Sequence, residues 1–215
     1  MIAVTIAVGR YYQDLAREAA ASVEWSTGLR TSVITETNGE KRPSNFKLRL
    51  LDWWPDETVL FFDADTRFLR PWNVSMFDGL QAFAASLDMP SSALDADCAR
   101  YQIKPERYFN AGVWFANRRF HKQAFDFADT LVHSPQYVTR FQYEQTALNV
   151  AIQRFQIPLL ELPRRYNALC DPKTPIPDDA VVVHRAGGRS DGPHEKIFRK
   201  AIQDAGSLQA QSLPR

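Results

Sequence analysis

After its first residue, the run Thr58-Val59-Leu60-Phe61-Phe62 contains no polar side chain. A strand with one wet face alternates apolar and polar residues. An unbroken apolar run belongs where both faces of a sheet are covered, as in a largely parallel sheet with helices on either side. The run ends on Asp63-Ala64-Asp65. In extended geometry residues two apart point the same way, so the two carboxylates lie side by side. At about 4 Å and an effective dielectric near 20 they repel by roughly 4 kcal/mol, and a divalent cation or a shared proton resolves the repulsion. Hard oxygen donors suit Mg²⁺ or Mn²⁺, and ligands of open α/β sheets bind beyond the carboxyl ends of the strands. Taken alone, an Asp-x-Asp pair also fits a capped turn.

Strand and helix signals alternate around this run, which predicts an α/β fold with a mostly parallel central sheet flanked by helices. Residues 2–8 read as a buried strand, 11–24 as a helix ending before Gly28, and 30–36 as a second strand closed by Asn38-Gly39. Ser44 is placed to cap a helix through Lys47-Leu48-Arg49-Leu50-Leu51 that Pro55 stops. Further strands are expected at 82–87, 112–116, 158–162 and 180–183, and amphipathic helices near 119–133 and 141–154. The polar, Pro-punctuated stretch 88–107 reads as a mobile or partner-contacting loop. One domain is expected over 1–204, with a frayed tail at 205–215.

The balance of charge excludes some functions. With 26 Lys+Arg against 25 Asp+Glu, nothing draws the chain to nucleic acid, and an anion must be gripped by a local cluster. No stretch approaches the roughly 20 apolar residues that span a bilayer. The start, Met1-Ile2-Ala3-Val4-Thr5-Ile6, reads as a strand rather than a leader, so a cytoplasmic location is expected. Cys98 and Cys170 fit no metal spacing and read as free thiols.

Several short words follow one another in order: Phe61-Phe62-Asp63-Ala64-Asp65, Tyr108-Phe109-Asn110-Ala111-Gly112-Val113, Glu144-Gln145-Thr146-Ala147-Leu148-Asn149, Leu162-Pro163-Arg164-Arg165-Tyr166-Asn167 and Val183-His184-Arg185-Ala186-Gly187. This series resembles the retaining glycosyltransferases of the GT-A fold, typified by glycogenin and the bacterial lipooligosaccharide galactosyltransferases, over residues 2–190. The resemblance implies transfer of a sugar from a nucleotide-diphosphate donor, UDP-linked, to a hydroxyl acceptor. It implies that Asp63, Asp65 and His184 hold the metal, and an imidazole ligand favours Mn²⁺ over Mg²⁺. Lys47 corresponds to a lysine that reaches the donor phosphates, and Tyr12, ahead of Tyr11, to a ring stacked on uracil. Asn110 and Gly112 correspond to the lining of the donor-sugar pocket. Glu144 and Gln145 correspond to an acidic residue and a glutamine facing the transferred sugar, with Gln145 offering its amide oxygen to the reacting centre. Gly187 would admit a diphosphate to the backbone, and Arg189 stands where the family carries a Lys-Pro-Trp-like run.

Two other readings remain open from the sequence. One is a degenerate fold that binds a sugar nucleotide without turnover. The other is an Asp-x-Asp phosphatase, in which Asp63 would attack phosphorus. Against the phosphatase stand Arg67 in place of Thr or Val and the strands that precede the motif.

Overall fold

The structure, a computed structural model, describes residues 1–37, 39–186 and 192–212, with side chains described through Gly206. Strand β1 (Ile2–Ile6) leads into helix α1 (Arg10–Thr27), which Gly28 closes in the left-handed conformation (φ 71°). Strand β2 (Thr31–Ile34) follows, then a 3-10 helix (Pro43–Arg49) running into the short helix α2 (Leu50–Trp53). Strands β3 (Thr58–Phe62), β4 (Thr66–Phe68) and β5 (Phe83–Leu87) precede helix α3 (Ser92–Tyr101). Strand β6 (Phe109–Asn117), helices α4 (Arg118–Val132) and α5 (Tyr143–Arg154), strands β7 (Leu159–Glu161), β8 (Ala168–Leu169) and β9 (Val182–His184), and helix α6 (Pro193–Ser212) complete the chain.

Six strands form the main sheet in the order β2-β1-β3-β6-β5-β7. β1 pairs parallel with β2 and β3, and β5 with β7, while β6 runs antiparallel to both its neighbours. The apolar run of β3 is explained by its place as one of the two central strands of this order. Val59 and Phe61 face one core with Phe125 and Leu148 of α4 and α5, and Leu60 and Phe62 face another with Ala19 and Val23 of α1. Full burial of each large side chain contributes on the order of 1.5–3 kcal/mol. α1 supplies its face through Ala16, Ala19, Ala20 and Val23, spaced at helical intervals.

A second sheet of three strands, β4-β9-β8, was not expected. Its strands are two or three residues long, too short for a period to show. β9 pairs antiparallel with β4, setting His184 opposite Thr66, and parallel with β8, setting His184 beside Leu169.

Three sequence expectations are corrected. The stretch 88–107 contains α3, capped by the Ser91 hydroxyl, which accepts the Leu94 N–H at 3.2 Å, and anchored by Leu94 and Cys98 against Tyr108. Helix α6 runs through Ser212, and Phe198, Ile202 and Ala205 on it pack with Leu69, Ala168, Cys170 and Val183. Ser44 caps nothing: Pro43 opens a 3-10 helix that buries Phe46, Lys47 and Leu48. The two thiols are free and buried. No helix among the described residues is long and apolar enough to cross a membrane.

Candidate active site

The main sheet delivers one acidic corner. β3 ends at Phe62, and the Asp63 N–H donates to the Gly112 carbonyl at 2.7 Å, so β6 holds Asn110 and Gly112 alongside the Asp-x-Asp. The small sheet delivers the histidine, and the Arg185 N–H donates to the Asp65 carbonyl at 3.0 Å, locking the two strand ends together. Nε2 of His184 lies 3.3 Å from Asp65 Oδ1 and 3.6 Å from Asp63 Oδ2. One donor atom from each of the three residues falls within 4.8 Å of the others. Two carboxylates and one imidazole, converging at that separation, fit a divalent cation of the Mn²⁺ kind.

A cleft of about 580 Å³ opens at this corner, and Tyr12, Lys47, Asn110, Glu144 and Gln145 line it together with Asp63, Asp65 and His184. Tyr12 is half exposed on the wall, edge-on to Tyr11. Tyr11 is occupied elsewhere, receiving Arg185 Nη1 on its hydroxyl at 2.5 Å. The same guanidinium group reaches Glu195 of α6 at 3.2 Å. Gly112 lines no open space: a Cβ there would lie 2.2 Å from His184 Cε1. The room it leaves, expected for a sugar ring, is filled by the imidazole. Gly187 and Arg189 lie outside the described residues.

Lys47 is buried with its ammonium between Asp63 Oδ1 (2.9 Å) and Glu144 Oε1 (3.1 Å). Burial would lower its pKa, but Asp63 and Glu144 outweigh that and hold it above the ordinary lysine value. Glu144 shows the reciprocal effect: burial raises it, and the Lys47 charge brings it below the ordinary range. Asp63 is raised, because burial outweighs Lys47 and His184. His184 is raised too, since the charges of Asp65 and Asp63 overcome burial.

Gln145, in the first turn of α5, accepts the Ala111 N–H on Oε1 at 2.8 Å and donates from Nε2 to Asp88 Oδ2 at 2.6 Å. The amide oxygen expected to face the reacting centre is thus bonded to backbone. Asp88 escaped the sequence reading, although it directly follows β5, at the strand end where α/β ligands bind. It also accepts from Asn110 Nδ2 at 3.3 Å, and burial raises its pKa. Asn167 was quoted only as part of a motif, yet it is buried against His184 and Asn110. Its partners are tertiary, and no local pattern announces them.

The chain matches no family model and no curated protein sequence. Its fold matches solved structures. Among them is the crystal structure of a glycosyltransferase involved in the glycosylation of the major capsid of PBCV-1, with a TM-score of 0.64 over 93% of this chain and 100% of that one, at 15% identity. At that identity the likeness is one of fold, and the fold is the mixed α/β GT-A class.

Proposed function

We propose that the protein is a metal-dependent glycosyltransferase that moves a sugar from a UDP-linked donor to a hydroxyl acceptor with retention at the anomeric carbon. The observation that carries this reading is the convergence of Asp63, Asp65 and His184 in one cleft at the carboxyl edge of a GT-A sheet. The glycosyltransferase with the same fold supports it.

Asp63, Asp65 and His184 would hold Mn²⁺ or Mg²⁺, which when bound supplies positive charge against the departing diphosphate. Tyr12 offers an exposed face to the uracil ring. Lys47 pairs with Asp63 of the metal triad and adds a fixed cation on the phosphate side of the cleft. Glu144 and the Gln145–Asp88 pair border the sugar, and the reading extends to Gly187 and Arg189 as backbone and charge for the diphosphate. In the transfer, the acceptor oxygen bonds to the anomeric carbon on the face from which the diphosphate leaves. The bond to the diphosphate breaks, and a diphosphate oxygen takes the acceptor proton. Gly112 supports His184 in this scheme, and Asn110, which lines the cleft, borders the sugar.

Thermal unfolding with UDP and a panel of UDP-sugars, with Mn²⁺ or with chelator, tests the proposal. A ligand at 100 times its Kd adds about 2.7 kcal/mol of stability. The expected result is a UDP-dependent rise in Tm that needs metal and vanishes in Asp65→Ala. No rise with any nucleotide diphosphate, or a rise unchanged in Asp65→Ala, would overturn it.

A further inference from the structure

His184 can serve a metal only through a nitrogen lone pair, and an imidazole has two nitrogens that exchange roles with the tautomer. The surroundings settle which one is available. A backbone N–H can only donate, and that of Gly112 donates to Asn110 Oδ1 at 2.9 Å. That identifies the oxygen of the Asn110 amide and turns its NH₂ toward the Asp88 carboxylate, 3.3 Å away. Asn110 Oδ1 also faces the Asn167 amide at 2.9 Å. An amide oxygen accepts and never donates, so the Asn167 atom facing it is Nδ2. Asn167 Oδ1 then faces His184 Nδ1 at 3.0 Å and can only accept from it. In the neutral ring the proton therefore sits on Nδ1, which leaves the Nε2 lone pair on the side of Asp63 and Asp65.

We infer that Asn167 is a positioning residue, the last link of a relay from Gly112 N–H through Asn110, which fixes the tautomer and the angle of His184 for metal binding. The inference rests on the metal-holding role of the corner proposed above. All three side chains are nearly closed to solvent, at 7% for Asn110, 2% for Asn167 and 4% for His184, so water offers no easy substitute partner. The ring is also pressed against the bare Cα of Gly112, which leaves it no room to settle lower on that side. The parallel pairing of β8 with β9 brings Asn167, one residue before β8, alongside the strand that carries the histidine. Such an outer partner of a ligating histidine fixes its tautomer and orientation, and its loss costs about 10–100-fold in metal affinity.

Two measurements test the relay. In metal-free protein carrying isotope-labelled histidine, at alkaline pH where the ring is neutral, two-bond nitrogen–proton correlations report the tautomer of His184, assigned by its disappearance in His184→Gln. The expected signal is protonated Nδ1; protonated Nε2 would overturn the relay whether or not the protein binds metal. Mn²⁺ affinity is then read by the loss of the free-ion electron paramagnetic resonance signal in wild type, Asn167→Leu and Asn167→Asp. Asn167→Leu should weaken binding about 10–100-fold. Asn167→Asp, which keeps an acceptor on Nδ1 while losing the donor to Asn110, should recover most of it. Equal loss in both variants, or none in Asn167→Leu, would show that the residue only fills space. A wild-type protein that binds no Mn²⁺ would overturn the metal reading and with it any role of the relay in metal binding.

Discussion

The main sheet and the small sheet supply the same corner from different material. The main sheet brings Asp63 and Asp65 on a strand buried at all its positions between two apolar cores. The small sheet brings His184 on a strand of three residues, where Val183 packs in the cluster under α6, Val182 joins the core of Leu60 and Phe62, and Arg185 reaches Glu195 and Tyr11. The carboxylates thus belong to the most firmly held part of the fold. The histidine depends in part on the cluster under α6, and proteins open locally at their less firmly held places before they unfold globally.

Phe62→Ala should give the largest effect. It removes a fully buried ring from the end of β3, beside Phe68, and should cost about 3–5 kcal/mol in denaturant unfolding. Both sheets should unfold in that one transition. Phe198→Ala should do less and do it elsewhere. Its ring packs on Leu69, Ala168, Cys170 and Val183, so hydrogen exchange at the β9 amides should quicken by roughly 1–3 kcal/mol of opening free energy while Leu60 and Phe61 stay protected. Equal loss of protection in β3 would erase the distinction between the sheets.

The smallest effect belongs to His121, buried beneath the main sheet next to Asn117. Burial holds its pKa below the ordinary value of 6.5. As pH falls below 6.5 the unfolded chain takes up the proton first, so stability is full above 6.5 and is lost toward the lowered folded value. The slope is at most about 1.4 kcal/mol per pH unit. His121→Leu should flatten that acid arm, as measured by urea unfolding across pH 5 to 7.

The same contrast decides what could be read from the sequence. β3 was legible because its neighbours cover both faces and leave no polar position, and the carboxylate pair was legible because it ends that strand. The small sheet was legible only at Val182 and Val183; Thr66–Phe68 and Ala168–Leu169 are too short to carry a period. α3 was hidden because its apolar face is little more than Leu94 and Cys98. Trp72 is core, stacked on Tyr166 and Phe68, whereas Trp53 is half exposed. Residue types announced the metal triad, but hydrogen-bond partners such as Asp88 and Asn167 arise only when distant strands meet. Gly112 shows the limit well: its need for space was legible, and what fills the space was not.

The Lys47 ammonium has one further consequence. Tethered between Asp63 and Glu144, it gives the acidic corner a counter-charge that the chain itself carries. Small domains built around a metal remain unfolded until the ion binds. In this corner the acidic side chains already carry a partner of their own, and an incoming cation would trade places with a resident one.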